Sequence, residues 1–339
     1  MNSQLKIGIN NSSSEWFRAV IDKKELKKLS KRSDWPAWTH MLIYFPSIFF
    51  FGYLTFLFWG TWWVIIPYLI YATIYAAADA IWHECGHRTA FRSRKFNDFF
   101  YHIACFMNNF EPIRWRWSHS LHHSYTASID PHDFEIEGSI FKQWTLISFI
   151  LNFIPGIGLL KIHESLQKET LMHALGFITP VMRDCIPFDQ QKKCRLYSRI
   201  HVSLWVLAIL ISIYLQTFLF IFLFIIPKYF GTLNGLWGIT QHIALQANVK
   251  DHRLSTRSIR LNPIFSFLYW KMEYHIEHHM FPMVPSYNLP KLHELIKNQL
   301  PKPNLSLYNA YREIVPAIIK QYKDNNYFIK KQIPMMAHE

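Results

Sequence analysis

The stretch "TWWVIIPYLIYATIYAAADAIWHECGH", Thr61 to His87, decides how this chain is read. It opens as an apolar run, Thr61–Ile81, interrupted by Asp79 alone, and about 20 such residues are what a helix needs to cross the hydrocarbon core. It ends in His83, Glu84 and His87, which spell H-E-x-x-H. That is a zinc metallopeptidase signature, with two histidines on one helical face and a glutamate as base. Taken alone, it predicts a peptidase, so the surrounding sequence has to arbitrate.

A second apolar run, Thr39–Phe58, lies just upstream, and Trp59, Trp62 and Trp63 mark the hinge where an interfacial aromatic belt would place them. Another pair is expected at about 202–226 and 229–248, joined by "PKYF" (Pro227–Phe230). The predicted fold is all-α and integral to the membrane. Four transmembrane helices form two hairpins (spans about 39–58, 61–81, 202–226 and 229–248), and a cytoplasmic helical cap holds a metal site. Residues 1–37 read as a basic cytoplasmic segment, 38–300 as one membrane domain, and 301–339 as a polar tail with Pro punctuation. "WTLISFILNFIPGIGLL" (144–160), cut by Pro155, Gly156 and Gly158, reads as interfacial or re-entrant rather than as a fifth span. "FNDFFYHIACFMNNF" (96–110) is too short and mixed to span and is expected along the membrane surface. An amphipathic helix is expected around 289–300.

Half of the 339 residues are hydrophobic, and the mean hydropathy near zero averages long uncharged runs with segments crowded by Lys, Arg and His. That is the pattern of a membrane protein with a large aqueous face. No Lys or Arg falls between Trp38 and Arg88, and Lys228 alone falls between His201 and Lys250. The rest of the 36 basic residues therefore lie on one side, which the positive-inside rule makes the cytoplasm, with both termini inside. A net charge of +13 could suit nucleic acid, but no zinc finger, RNA-binding motif or base-reading basic helix accompanies it. No cleavable signal peptide is visible. Four cysteines without a C-x-x-C point to a reduced compartment without disulfides, and Cys85 reads better as a small buried filler than as a ligand.

The chain has 18 histidines, and eight of them form three boxes. "HECGH" supplies His83 and His87; "HSLHH" supplies His119, His122 and His123; "HIEHH" supplies His275, His278 and His279. Spacings of three and four place side chains on one helical face, so each box can aim two or three imidazoles at one centre. A catalytic zinc uses three protein ligands and an open position, which leaves most of these histidines unexplained. Two metal ions account for the surplus, and an imidazole-rich, redox-active cage fits iron.

The three boxes, in this order and separated by a four-helix membrane pattern, resemble those of the membrane fatty acid desaturase and hydroxylase superfamily. The stretches "TQHIALQANVKDHR" and "NPIFSFLYWKMEYHIEHHMFPMVP" look more like a bacterial branch that includes rhizopine-catabolism-type oxygenases. The resemblance implies a non-haem di-iron centre that uses O2 to attack an unactivated C–H bond of a membrane lipid or other lipidic or hydrocarbon substrate. It also implies a further ligand near the end of the fourth span, a role for which His242 is placed. The implied ligands are His83, His87, His119, His122, His123, His242, His275, His278 and His279. Desaturation and hydroxylation, including oxidative demethylation, begin with the same hydrogen abstraction and are not separated by these motifs. Many acyl-CoA desaturases carry an Asn one turn before the ninth histidine; here it is Gly238. There is no His-Pro-Gly-Gly segment and no G-x-G-x-x-G fingerprint, so electrons are expected from a separate ferredoxin-, rubredoxin- or cytochrome b5-type carrier.

Carboxylates that could orient the metal-binding rings are Glu84, Glu277, Asp79 and Asp251, with Glu273 also near. Asp130, Asp133 and Glu135 of "DPHDFE" read better as a solvated loop, and so does His132. His252, ten residues past His242, is a further candidate for the site. Arg114, Arg116 and Trp117, directly before the second box, read equally as a substrate headgroup site and as interfacial anchors.

Overall fold

The structure is a computed structural model that describes residues 15–136 and 143–334; the ends of the N-terminal and C-terminal segments and residues 137–142 lie outside the described residues. Among the described residues there is no β-strand, only an isolated bridge between Ile259 and Asn304. Among the described residues, three helices are long and apolar enough to cross a membrane: Lys23–Leu57, Trp62–Gly86 and Phe188–Tyr214.

The first hairpin joins helices at 34–57 and 62–86, against expected spans of about 39–58 and 61–81. Helix Asp34–Leu57 turns at Gly60, which takes a positive φ of 83°, and the chain returns through Ile65–Ala76 and Ala78–Gly86. The Tyr44 hydroxyl donates to the Ile74 carbonyl (2.8 Å) across the pair. Leu42, Ile43, Phe49, Phe50 and Tyr53 point outward, exposed, as a lipid-facing surface requires, while the returning helix is mostly buried. Trp62 and Trp63 are exposed at the turn.

The second hairpin departs from the expected spans. Helix Phe188–Tyr214 begins earlier, and the chain turns at 215–218, where Gln216 has φ 50°. The return is not one helix over 229–248. It is a succession of short ones: Leu219–Phe224, Pro227–Phe230, Leu233–Gly238 and a 3₁₀ turn, Ile239–Gln241. "PKYF" therefore lies within the return and not at the turn. Pro227 cannot donate a backbone bond, and glycines at 231, 235 and 238 weaken helix propagation. Gly231 is required by packing, because a Cβ there would sit 2.2 Å from the Ala72 carbonyl oxygen. The carbonyls freed by the breaks are satisfied by side chains, as an apolar environment demands. Tyr71 donates to Leu223 (2.6 Å), Tyr75 to Phe224 (3.1 Å), and Asn109 and Gln167 to Ile225 (3.3 and 3.4 Å). Half-buried Lys228 donates to the Asn108 carbonyl (2.7 Å) and sits 3.9 Å over the Phe110 ring.

Residues 144–160 form a short helix, Leu146–Leu151, and then turns leading into a 3₁₀ segment, Ile157–Glu164. This stretch packs on the broken return: Gly156 N–H donates to Tyr229 (2.8 Å) and Thr232 donates to the Phe153 carbonyl (2.8 Å). Helix Arg94–Met107 buries Asn97, Phe100, Tyr101, Ala104 and Cys105, one face at helical spacing, against Ala78–Gly86. Helix Leu289–Ile296 matches the amphipathic expectation. The polar tail does not: Leu307–Lys323 is a helix that buries Ala310, Ile314, Ala317 and Ile318, and Tyr311 donates to the Leu236 carbonyl (2.7 Å). Its apolar stripe is too narrow to raise the average hydropathy of a lysine-rich segment, so composition concealed it.

Candidate metal centre

Four elements bring the histidines together. His83 and His87 occupy the C-terminal end of Ala78–Gly86. His119, His122 and His123 lie on Pro112–Ser124, and His275, His278 and His279 on His275–Met280. His242 follows the 3₁₀ turn that ends the broken return. The second-box helix starts at a sequence-encoded cap: Glu111 accepts from the N–H groups of Ile113 (3.0 Å) and Arg114 (2.5 Å), and Pro112 fills the first position. Arg257 fixes the His242 loop by donating to the carbonyls of Thr240 and Ile243 on either side of it. Burial pulls the Arg257 guanidinium down to about 10. This arginine was not picked out from the sequence, where nothing distinguishes it from its basic neighbours.

The nine histidines form two groups, His83, His87, His119, His123 and His278 in one and His122, His242, His275 and His279 in the other. Within each group the candidate ligand atoms lie within 4.8 Å of one another. Residues four apart share a group, whereas His122 and His278, three residues after the start of their boxes, cross to the other. A step of four residues rotates a side chain by about 40° and a step of three by about −60°. Each H-x-x-H-H box therefore feeds both groups rather than a single centre.

In the first group, His119 Nε2 lies 2.7 Å from His87 Nε2 and 3.2 Å from His123 Nε2, which is 3.2 Å from His278 Nε2. In the second, His275 Nε2 lies 3.1 Å from both His242 Nε2 and His279 Nε2. Two nitrogens each about 2.1 Å from one ion lie about 3.0 Å apart at a right angle and about 3.4 Å apart at the tetrahedral angle. The observed separations are close to these edges.

The outer ring nitrogens explain why lone pairs face inward. His119 Nδ1 meets Glu135 (2.9 Å), His122 Nδ1 meets Asp133 (2.7 Å), and His242 Nδ1 meets the Ser255 carbonyl (2.9 Å). An Nδ1–H that donates outward leaves Nε2 as an acceptor. Converging acceptors repel one another unless a cation or protons fill the space. Both ring nitrogens of His83 are buried without a protein partner, as are Nδ1 of His123 and His278. A metal ion would partner one of the His83 nitrogens, whereas His123 and His278 converge on the centre through Nε2, so this donor set fits metal ions. Burial and the neighbouring imidazoles hold His119, His123, His275, His278 and His279 well below the ordinary histidine range. His122 is the exception: burial opposes its charge, but Asp133 and Glu135 lift it to about 9. Burial raises Glu135 to about 7.

The carboxylates that touch the nine clustered imidazoles are therefore Asp133 and Glu135, from the stretch read as a solvated loop. Asp133 is fully buried and also accepts from Ala127 N–H (2.9 Å). A neutral group, the Thr126 hydroxyl, does the same for His279 (3.2 Å), whereas the Gln241 side-chain NH2 donates to His275 Nδ1 (3.2 Å). The four carboxylates favoured from sequence bind elsewhere. Glu84 accepts from Ser286 N–H (3.1 Å), Asp79 from the Trp82 indole (2.8 Å), and Glu277 from Ser258 (2.7 Å) and His293. Asp251 caps the short helix His252–Ser255 and pairs with Arg253 (2.8 Å). Glu273 accepts from Ser266. Glu84 belongs to neither histidine group. Cys85 is buried outside both groups. His132 packs edge-on against Phe134.

A cleft of about 330 Å³ reaches His87, His119 and His123 of the five-histidine group and is lined also by Trp82, Tyr101, Arg116, Ser120 and Ser124. Arg116 reaches this cleft while bonding Asp98 (3.0 Å). Arg114 does not: it is buried against Glu169 (2.8 Å) and Ser118 (2.9 Å). Trp117 is partly exposed beside them. Gly238 leaves open space where a side chain would stand.

Residues 60–311 match the fatty acid desaturase family. The chain is 24% identical over 314 residues to the Delta(6)-fatty-acid desaturase fat-3 of Caenorhabditis elegans, covering 81% of this chain and 65% of that one. It is 22% identical over 244 residues to the Delta(5) fatty acid desaturase fat-4 of the same organism, covering 63% and 53%. It is 24% identical over 295 residues to the mouse Fatty acid desaturase 2-like protein FADS2B, covering 76% and 56%. The chain thus spans between about half and two-thirds of the length of these relatives.

Proposed function

Since the chain belongs to the fatty acid desaturase family, we propose that it is an O2-dependent di-iron oxidoreductase that desaturates a lipid or fatty acyl chain. The observation that carries this reading is the convergence of nine imidazoles into groups of five and four. His83, His87, His119, His123 and His278 would hold one iron, and His122, His242, His275 and His279 the other. When bound, the iron pair supplies reductive activation of O2 toward an unactivated C–H bond.

The chain's own residues set the conditions for that chemistry. Asp133 and Glu135 orient His122 and His119 and raise their basicity as ligands. Trp82 packs edge-on against His83 and His119 with ring centroids 5.6 and 5.2 Å apart, walling the five-histidine group with apolar surface. Arg116, at the cleft, is positioned for an anionic headgroup. In this reading the broken return counts as the fourth crossing, both termini and the histidines lie on the cytoplasmic side, and the reducing electrons come from a separate carrier.

The test is mass spectrometry of lipids from cells expressing the protein under ¹⁸O2, with His279→Ala as control. The expected products lack two hydrogens, carry no label and vanish in the control. Label in the product would make the protein a hydroxylase instead.

A further inference from the structure

The segment between the undescribed N-terminus and the first long helix packs against the end of the second-box helix and against residues 250–253 and 288–299. Trp16 donates its indole N–H to the Ser124 carbonyl (3.1 Å), at the end of the second-box helix. Phe17 N–H donates to Lys250 (2.9 Å), and the Arg253 guanidinium covers the Phe17 ring at 3.3 Å. Val20 exchanges two bonds of 2.7 Å with the Gln299 side chain, and Asn288 donates to the Leu29 carbonyl (2.8 Å).

Half-buried Trp16 stacks face to face on His252, with centroids 4.2 Å apart and planes within 10°. His252 is 4% exposed, and its Nδ1 has no hydrogen-bond partner. Its ring lies 5.0 Å from His279 and is in ring contact with no other member of the nine. A ligand would adjoin several members of its group, as His275 and His242 do. His252 instead flanks one ligand from outside and connects it to the surface through the indole. The cleft opens onto the five-histidine group; this aromatic column reaches the four-histidine group.

Resting on the di-iron reading, we propose that Trp16 and His252 form the electron entry port, and that the basic segment around them docks an acidic one-electron carrier protein. Residues 15–32 carry seven cations (Arg18, Lys23, Lys24, Lys27, Lys28, Lys31, Arg32) against three carboxylates (Glu15, Asp22, Glu25), and all seven cations are largely exposed. That excess of charge favours an acidic partner and speeds its encounter. Each encounter oxidises the carrier by one electron and delivers that electron through Trp16 and His252 toward His279. Two encounters reduce an iron pair by two electrons. No bond is made or broken, and the indole and imidazole are left unchanged.

The test uses the full chain in nanodiscs and a reduced plant-type [2Fe–2S] ferredoxin as probe, with dithionite as a small reductant that needs no docking. Anaerobic stopped-flow should show Trp16→Leu slowing ferredoxin oxidation severalfold while dithionite reduction and iron content stay at parent values, with Trp16→Phe restoring most of the rate. Binding of oxidised ferredoxin to the metal-free protein should weaken with salt and fall about tenfold in Lys27→Glu/Lys28→Glu. Parent-like electron transfer in Trp16→Leu overturns the port, and so does equal slowing with both reductants. Ferredoxin binding indifferent to the charge reversal overturns the docking surface. A protein that holds no iron fails the di-iron reading instead, while the metal-free binding still judges the surface.

Discussion

The two histidine groups share two of their four supporting elements, the helices of the second and third boxes, yet are built differently. The five-histidine group is reached by the cleft and draws one carboxylate, Glu135, to an outer nitrogen. The four-histidine group is buried throughout, with fewer imidazoles. It is backed by fully buried Asp133, the Ser255 carbonyl, Thr126 and Gln241. Small molecules reach one group directly, while the other is shielded and held by a denser shell of hydrogen bonds. The two sites are therefore expected to differ in how they lose metal and how they respond to mutation.

The largest effects should follow loss of one ligand from each group. His123→Ala and His275→Ala should each abolish turnover, with iron by elemental analysis falling from about two per chain toward about one. If either variant empties both groups equally, the groups are one cooperative site and the comparison fails. Next come the carboxylates. Asp133→Asn should weaken iron binding about 10–100-fold, and Glu135→Gln should fall at the low end of that range. Asp133 is fully buried and holds both His122 and Ala127 N–H, whereas Glu135 is partly exposed. Iron titration of the two variants checks the order, and a larger effect from Glu135→Gln would reverse it.

Much of this was legible in the boxes themselves. The i, i+4 pairs 83/87, 119/123 and 275/279 share groups as helical geometry requires, but each H-x-x-H-H box was expected at one centre and feeds both, and His242 was reached only through the family resemblance. The first hairpin was plainer because Asp79 is the one charge inside its two apolar runs. The return of the second was not: Pro227 and three glycines break it, and the carbonyls they free are satisfied by Tyr71, Tyr75, Asn109 and Gln167, far away in sequence. Asp133 and Glu135 were obscured for a related reason. In sequence they sit in a polar loop, and only tertiary packing turns that loop inward to the second box, while the closer acids Glu84 and Glu277 are engaged by residues 286, 258 and 293.

Access separates the groups more gently. Metal removal by a soluble chelator should proceed in two phases, the faster from the group that the cleft reaches. Ser120→Trp, which fills the cleft without touching an outer nitrogen, should slow the fast phase and leave the slow one. A single phase, or equal slowing of both, would show that burial does not distinguish the two sites.

The smallest effect on the metal centre is expected at Glu111, because it supports both groups at once. It caps the helix that carries His119 and His123 for one group and His122 for the other. Burial raises its carboxyl to about 7, despite the opposing bonds from Cys194, Arg114 and Ile113. Between the ordinary carboxylate value and about 7, the folded protein holds a proton that the unfolded chain releases, so stability falls as pH rises through that window and levels off above it. Glu111→Gln removes this titration and should flatten the profile, and because Gln keeps only one of the two oxygens that accept from Ile113, Arg114 and Cys194, its gain relative to the parent at pH 8 stays below a few kcal/mol. The lost charge at the helix N-terminus subtracts about 0.3–1 kcal/mol from that gain. Thermal unfolding followed from pH 5 to 8, with iron content measured alongside, tests both halves of the expectation. An unchanged pH slope would mean that Glu111 does not titrate as argued, and iron lost from one group alone would mean that the helix is not a common support.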